Sequence, residues 1–235
     1  MPIEFVLLII AAYLLGSVPA AYLVVKWSRG IDIRQYGTGN VGASNVLSIT
    51  SKWLAIPVTI FDIGKGALVI SLAQLLGLDT TQQITVGAIT VIGHNWPVFL
   101  RFQGGRGIFT TLGVTTILSP WLGLIILAIA YSMAPFRQLA LGVLLALASM
   151  PIFSWFLPQL FDIEEKLPIT LGFVVLLLIA LVKRLATPRI PLSKSVPRGR
   201  LFINRLLFDR DIKDRKAWLE GKKPQETEEP RKGCP

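Results

Sequence analysis

The sequence has only one cysteine, Cys234, and one histidine, His94. A single thiol excludes an internal disulfide and a zinc site built from cysteines, and a single imidazole excludes a metal centre of several histidines. Charged residues are also scarce, at 16% of the chain, whereas soluble domains have about 25%. We therefore expect no metal and no cofactor, and a reaction that depends on positioning and charge stabilisation of an activated substrate.

Apolar residues are abundant, at 52% of the 235 residues, with a mean hydropathy of +0.60. One globular core cannot bury this much apolar surface, so the chain is predicted to be an integral membrane protein. The first apolar run, residues 3–25, has no basic segment before it and no small-residue cleavage site after it. We expect it to remain as the first span instead of being removed as a signal peptide.

Apolar runs of spanning length cover residues 3–26, 53–77, 83–100, 108–132, 138–157 and 169–182. The fourth run is interrupted at its centre by Ser119-Pro120-Trp121. Proline breaks a helix, and the serine and tryptophan suit an interfacial turn. Dividing the run there gives two short helices and seven spans in all.

Loop charges give these spans an orientation. The connections 27–52 and 101–106 carry lysine or arginine, whereas 78–83 carries none. The positive-inside rule places the two basic connections in the cytoplasm and the N-terminus outside, and seven spans then leave the basic tail in the cytoplasm. The predicted fold class is an all-α integral membrane bundle of about seven transmembrane helices, with the N-terminus outside and the C-terminus cytoplasmic.

The tail differs from the rest of the chain in charge. Residues 1–182 contain 9 basic and 7 acidic residues, whereas residues 183–235 contain 15 basic and 7 acidic ones. We predict a transmembrane domain at 1–183 and a basic cytoplasmic tail at 184–235, with an amphipathic stretch at 201–219 and a disordered end. Basic charge beside a membrane span favours anionic lipid over nucleic acid, so membrane lipids are expected partners and nucleic acid is not.

Two glycine-rich connections fall on the predicted cytoplasmic side: GTGNVGASN at 37–45 and GGRG at 104–107. Glycines allow positive φ and let consecutive N–H groups face one anion, and a helix that starts at Ile108 adds its dipole. For one such loop, tight turns or close helix packing would be the simpler interpretation, but two loops on one face favour anion binding. A dinucleotide site is excluded, because a transmembrane helix precedes the first loop in place of a strand. The side-chain donors in the two loops are Thr38, Asn40, Ser44, Asn45, Gln103 and Arg106.

Three ionisable residues, Asp62, Lys65 and His94, lie within predicted spans. Asp62 and Lys65 share one helical face and are expected to pair with each other, which we favour over a role for Lys65 as a phosphate counter-ion. His94 is either a proton carrier or a packing residue. Phe99 stands five positions after His94, which excludes a His-x-x-x-x-Asp acyltransferase pair.

At these residues the sequence resembles the bacterial glycerol-3-phosphate acyltransferases that use acyl phosphate, the PlsY family. The matching segments are 16–19, 30–34, 37–46, 62–66 and 93–107. The resemblance implies a seven-helix bundle in the cytoplasmic membrane of a bacterium. It implies transfer of a fatty acyl group from acyl phosphate to the sn-1 hydroxyl of glycerol 3-phosphate, giving lysophosphatidic acid, with no covalent acyl-enzyme. An enzyme that produces acyl phosphate is the implied functional partner.

The resemblance also implies roles for individual residues. Thr38, Asn40 and Arg106 are the implied catalytic residues, with one phosphate held at each loop. The implied substrate-binding residues are Gly37, Gly39, Gly42, Asn45, His94, Gln103, Gly104, Gly105 and Gly107.

The chain departs from the family pattern at several positions. Where this chain has Thr38 the family has serine, and where it has Ser48 the family has arginine. Lysine is the family residue at the positions of Gln103 and Arg106. A third motif, a His-Arg-Glu-Asn-like run before Arg-Leu-Leu, is matched mainly in its second half, by residues 204–207. The tail residues available to replace its missing groups are Arg205, Asp209, Arg210 and Asp211.

Two other functions stay open on the sequence. A catalytically silent relative would bind anionic lipid or acyl phosphate as a scaffold, without turnover. An anion transporter is a third hypothesis, although the sequence shows no pair of broken helices in repeated halves.

Overall fold

The structure is a computed structural model that describes residues 3–187, 189 and 193–220. The described part is all-helical and has no strand, as predicted. Its α-helices are α1 (Ile3–Ser17), α2 (Ala20–Arg29), α3 (Ala43–Ile49), α4 (Lys52–Leu75), α5 (Thr80–Asn95), α6 (Ile108–Leu118), α7 (Pro120–Ser132), α8 (Leu139–Phe156), α9 (Lys166–Leu185), α10 (Arg198–Phe208) and α11 (Arg215–Glu220).

Within the part of the chain that the structure describes, four helical segments are long and apolar enough to cross a membrane: Ile3–Arg29, Lys52–Leu75, Leu139–Phe156 and Lys166–Leu185. Helices α6 and α7 are apolar but shorter. The predicted break between them is confirmed, because α6 ends at Leu118 and α7 begins at Pro120.

The first predicted span differs from the prediction, because it consists of two helices. α1 ends at Ser17 and α2 begins at Ala20, with Val18 and Pro19 between them. Proline has no N–H with which to continue the ladder of backbone hydrogen bonds. The span predicted at 83–100 also ends early, since α5 stops at Asn95, close before Pro97.

One end of the bundle collects the two glycine-rich connections and the tail. Arg34 of the first connection donates to the carbonyl of Leu100, beside the second connection, at 3.4 Å. Arg106 of the second connection donates to the carbonyl of Lys183 near the end of α9 at 2.7 Å, and α10 packs on α8 and α9. We call this end the loop end.

The opposite end collects the connections that follow α4, α6 and α8. The Thr80 hydroxyl donates to the Glu165 carboxylate at 2.9 Å. The hydroxyl of Ser119, which is fully buried, donates to the carbonyl of Phe161 at 2.8 Å. We call this the acidic end, because Asp79 and Glu165 lie there. Successive connections therefore alternate between the two ends.

Helix α5 lies at the centre of the bundle and packs on α1, α4, α6 and α9. The main apolar core surrounds it and includes Val86, Val91, Val114 and Phe173, each almost completely buried. A smaller core lies under the first glycine loop, where Ile33 and Val46 are fully buried.

The stretch predicted as one amphipathic segment at 201–219 contains two helices, α10 and α11, separated by residues 209–214. The tail docks on the bundle through buried arginines. Arg184 donates to the carbonyls of Leu206 and Ala140 at 2.8 and 2.9 Å, and Arg205 pairs with Asp211 at 2.8 Å. The disordered end that we predict, residues 221–235, lies outside the described residues.

Candidate functional site

The first glycine loop is organised around the side chain of Asn45, which is fully buried in the first turn of α3. Its Oδ1 accepts from the backbone N–H of Thr38 at 2.8 Å. Its Nδ2 donates to the carbonyls of Ile33, Tyr36 and Asn40 at 3.2, 3.0 and 3.0 Å. The amide of Asn45 therefore serves the shape of the loop, although the resemblance implies that it binds substrate.

The backbone of this loop curves back on itself. Gly37 and Gly39 have positive φ, at 59° and 67°, whereas Gly42 is extended. The N–H of Gly39 donates to the carbonyl of Tyr36 at 2.9 Å, and the N–H of Asn40 donates to Thr38 Oγ1 at 3.3 Å. These N–H groups have partners inside the loop, whereas the glycine pattern predicts that they face a ligand.

An ion pair fixes the backbone that leads into the loop. Arg34 Nη2 lies 2.6 Å from Asp32 Oδ2, and the Asp32 carboxylate also accepts from the backbone N–H of Arg34 at 3.0 Å. The hydrogen-bonded Arg34 guanidinium holds the pKa of the Asp32 carboxyl below its ordinary value. Arg34 thereby links the first loop to the carbonyl of Leu100 beside the second.

The second glycine loop packs directly on His94. The N–H of Gly105 donates to the carbonyl of His94 at 3.0 Å. A side chain on Gly104 would collide with that carbonyl, and one on Gly105 would collide with His94 Nε2 and the carbonyl of Val41. Neither glycine has positive φ, so close approach is what requires them. The contact with Val41 brings the two loops together.

The start of α6 agrees with the prediction. The helix begins at Ile108 after Gly107, whose φ is 71°. Arg106 precedes this turn, and its guanidinium faces the end of α9 and the tail. Nη1 donates to the carbonyl of Lys183 at 2.7 Å and to Thr187 Oγ1 at 2.8 Å, and Nη2 lies 3.0 Å from Asp209 Oδ1. Gln103 is exposed at the loop end.

The three ionisable residues predicted within the spans form one cluster. Asp62 and Lys65 pair at 2.9 Å, as predicted, and both are almost completely buried. The Lys65 ammonium also lies 2.7 Å from His94 Nδ1 and 3.1 Å from the carbonyl of Gly16. The link from Lys65 to His94 joins α4 to α5, and no spacing in the sequence indicates it.

A small cavity lies where the break between α1 and α2 meets the two loops. Ser17, Val41, Asp62, His94 and Gly104 contribute to its lining. Ser17 is fully buried, and its hydroxyl has no hydrogen-bond partner among the described residues. Sequence reasoning did not select Ser17 as a site residue, although it lies in the segment 16–19 that carries part of the resemblance.

Comparison with known proteins identifies the family of this membrane bundle. The family profile described as glycerol-3-phosphate acyltransferase matches residues 6–190. The chain belongs to the glycerol-3-phosphate acyltransferase family. It is 47% identical over 215 residues to glycerol-3-phosphate acyltransferase 4 of Dehalococcoides mccartyi strain CBDB1, covering 92% of this chain and 93% of that protein. Acyltransferase 5 of Dehalococcoides mccartyi strain ATCC BAA-2266 / KCTC 15142 / 195 is 46% identical over 219 residues, covering 93% of this chain and 94% of that protein. The predicted acyltransferase function is thereby confirmed.

Solved structures agree with this family. The crystal structure of PlsY, an integral membrane glycerol 3-phosphate acyltransferase, in its glycerol 3-phosphate form has a TM-score of 0.69 and 30% identity. The lysophosphatidic acid form has a TM-score of 0.67 and 28% identity. Each comparison covers 77% of this chain and 88% of the other chain. The prediction of an all-helical integral membrane fold is thereby confirmed.

Proposed function

We propose that the protein transfers a fatty acyl group from acyl phosphate to the sn-1 hydroxyl of glycerol 3-phosphate, giving lysophosphatidic acid for phospholipid biosynthesis. The observation that carries this proposal is the meeting of the two glycine loops beside a small cavity that Ser17, Asp62 and His94 help to line, in a membrane bundle. Two solved structures of one relative, in glycerol 3-phosphate and lysophosphatidic acid forms, support the acceptor and the product.

The chemistry needs little from the protein beyond positioning and charge. Acyl phosphate is a mixed anhydride. The acceptor hydroxyl oxygen bonds to the carbonyl carbon, and the bond from that carbon to the phosphate oxygen breaks, so phosphate leaves with the electron pair. The hydroxyl proton passes to a phosphate oxygen of a substrate. Positively charged and N–H groups held in place beforehand stabilise the charge that develops.

Arg106 is the cation that we assign to a substrate phosphate. It lies at the loop end, and its ion pair with the Asp209 carboxylate supports the binding of an anion there. Thr38 and Asn40, at the tip of the first loop, are the proposed polar contacts to the second phosphate. The further binding residues that we propose from the family pattern are Gly37, Gly39, Gly42, His94, Gln103, Gly104, Gly105 and Gly107.

We also propose seven passes through the membrane, with the N-terminus outside and the loop end in the cytoplasm. Successive connections alternate between the loop end and the acidic end from α1 to α9, which requires seven passes if α1 and α2 form one. Helices α6 and α7 have 11 and 13 residues, so each reaches only about 16–20 Å at 1.5 Å per residue. Basic residues concentrated at the loop end support its cytoplasmic position.

This arrangement gives each substrate its own route. Glycerol 3-phosphate is polar and reaches the loop end from the cytoplasm, whereas the acyl chain of the donor lies in the bilayer. The bacterial relatives support a location in the bacterial cytoplasmic membrane. An enzyme that produces acyl phosphate is the functional partner that this reaction requires.

The test is acyl transfer by the purified protein in lipid, with palmitoyl phosphate and labelled glycerol 3-phosphate, and palmitoyl-CoA as the control donor. We expect product from palmitoyl phosphate alone. We expect Arg106→Ala to reduce the rate about 100-fold or more and Arg106→Lys to retain most of it. Arg29→Ala, which removes an exposed arginine at the loop end, is the matched control and should leave the rate unchanged.

Two results would contradict this proposal. Equal transfer from palmitoyl-CoA would show that the donor is not specifically acyl phosphate. Binding of palmitoyl phosphate by a folded protein that yields no product from either donor would favour the silent scaffold relative.

A further inference from the structure

Lys65 lies at the centre of a buried cluster that the reaction scheme above does not use. An ammonium group has three N–H donors, and three acceptors surround this one. They are the carbonyl of Gly16 at 3.1 Å, Asp62 Oδ1 at 2.9 Å and His94 Nδ1 at 2.7 Å. Every donor of Lys65 therefore has a partner, and one of these partners is a ring nitrogen.

This contact determines which nitrogen of His94 carries a proton. A nitrogen that accepts a hydrogen bond from an ammonium carries no proton itself, and a neutral imidazole has its single proton on the other nitrogen. An ammonium can only donate, so Lys65 paired as a cation with Asp62 makes His94 Nδ1 the acceptor and leaves the proton on Nε2. The Nδ1 atom is 3.4 Å from Asp62 Oδ1, farther than Lys65 Nζ is from either atom.

The charge of the cluster supports the same assignment. Asp62 and Lys65 together have a net charge of zero, and both are almost completely buried inside a membrane bundle. A protonated His94 would add an uncompensated positive charge in a region where unpaired charge is costly. The other cation near this turn of α5, Lys183, donates to the carbonyl of Asn95 and supplies no negative charge.

The protonated nitrogen lies where the two loops meet. His94 lines the cavity together with Ser17, Val41 and Gly104. A side chain on Gly105 would collide with Nε2, so the glycine at that position leaves space beside this nitrogen. A fixed N–H group in this place is a hydrogen-bond donor for an oxygen atom that gains negative charge.

We propose that Lys65 is a positioning residue that fixes His94 as a neutral imidazole protonated on Nε2, and that His94 donates to the carbonyl oxygen of the acyl donor. This inference rests on the proposed function. As the acceptor hydroxyl attacks the carbonyl carbon, the carbonyl oxygen gains negative charge and the Nε2–H group stabilises it. The hydroxyl proton passes to a substrate phosphate oxygen and not to His94, because Nε2 already has a proton.

Nitrogen NMR of protein labelled with ¹⁵N-histidine tests the tautomer directly. His94 is the only histidine in the chain, so the spectrum contains a single imidazole. Near neutral pH we expect one protonated and one unprotonated nitrogen, with the proton on Nε2. Two protonated nitrogens, or a proton on Nδ1, would overturn the inference. The wild-type spectrum alone decides this point, whether or not acyl transfer is detected.

The spectrum of a Lys65 variant tests the role of Lys65, and the rates of two His94 variants test whether His94 donates the hydrogen bond to the substrate. In a folded Lys65→Met variant we expect the Nδ1 signal to shift, and an unchanged signal would remove Lys65 from the proposal. His94→Gln retains a side-chain N–H, so we expect it to keep kcat within about 10-fold, whereas His94→Ala should lose about 100-fold. Equal losses in the two variants would favour a general base and contradict the donor role.

The Michaelis parameters show whether the His94 N–H group donates its hydrogen bond to the carbonyl oxygen or to a phosphate oxygen. We expect His94→Gln and His94→Ala to change kcat while the KM for glycerol 3-phosphate stays constant, because the carbonyl oxygen gains charge only in the transition state. A higher KM with unchanged kcat would show that the Nε2–H group binds the phosphate of glycerol 3-phosphate, and would overturn the assignment to the carbonyl oxygen. Absence of transfer by the wild-type protein would contradict the proposed function and leave the tautomer result intact.

Discussion

The two glycine loops are held in shape by different means. The first is a local unit, because the Asn45 amide bonds only to residues within 12 positions of it in the chain. The second depends on distant segments, since Arg106 bonds to Lys183 and Thr187, which are 77 and 81 residues away, and pairs with Asp209 of the tail. The first loop therefore relies mainly on hydrogen bonds with nearby residues, whereas the second relies on distant segments of the bundle.

This difference also separates what each loop offers to a ligand. Several backbone N–H groups of the first loop already have partners within the loop, so we expect it to contact a ligand mainly through its side chains. In the second, the cation Arg106 is paired with the Asp209 carboxylate, which we expect a substrate phosphate to replace. Changes at the first loop should therefore affect folding, and changes around the second should affect substrate affinity.

The largest effect is expected from Asn45→Ala. The change leaves the N–H of Thr38 and the carbonyls of Ile33, Tyr36 and Asn40 without their partner, which should lower the free energy of unfolding by about 2–4 kcal/mol and abolish most transfer. Chemical unfolding in detergent and the acyl-transfer rate measure the two effects. Asn204→Ala is the control, because Asn204 makes a single bond, to the carbonyl of Asp211 at 3.0 Å. An unchanged unfolding midpoint for Asn45→Ala would show that the first loop does not depend on this amide.

An intermediate effect is expected from Asp209→Asn. The change removes the negative charge that accompanies Arg106, so the KM for glycerol 3-phosphate should fall up to about fivefold, the range of a partly exposed ion pair. Asparagine tolerates the positive φ of this position, 55°. Asp162→Asn is the matched control, because Asp162 is exposed, lies at the acidic end and has a φ of 52°. A rise in KM would show that Asp209 orients Arg106 and does not compete with substrate.

The smallest effect is expected from Asp32→Asn, before the first loop. Because Arg34 lowers the pKa of Asp32, the pair stabilises the folded state above the ordinary carboxyl pKa, and this stabilisation is lost as pH falls through the lower folded value. The pair is partly exposed, so the loss at neutral pH should be below about 1 kcal/mol. Unfolding midpoints should differ at pH 7 and converge as the solution is acidified below about pH 4. A constant difference across this range would exclude the ion pair as its cause.

Several features of this molecule could be predicted because they depend on neighbouring residues. The break at Ser119-Pro120, the start of α6 after Gly107 and the pairing of Asp62 with Lys65 all follow from spacing of one helical turn or less. Features that join distant segments were not predicted. The contact of Lys65 with His94 and that of Arg106 with Asp209 exist only because particular helices pack together, which no local pattern contains.

Two residues show the same limit inside the site. Asn45 resembles a ligand by motif, yet the curvature of the loop directs its amide inward. Ser17 is the last residue of α1, and its position at the cavity depends on how α1 meets α5 and the second loop. In both cases residue type and spacing predicted which segments form the site, whereas the orientation of the side chain could be seen only in the tertiary structure.

The break after Ser17 has a consequence for how the chain is made. In a continuous helix the carbonyl of Gly16 would accept from the N–H of Ala20, but that N–H donates to the carbonyl of Val18, which leaves Gly16 for Lys65. Gly16 and Asp62 are both synthesised before Lys65. Two of the three partners of Lys65 thus precede it in synthesis, and His94 follows 29 residues later, about 1.5 to 6 seconds at ordinary rates of synthesis.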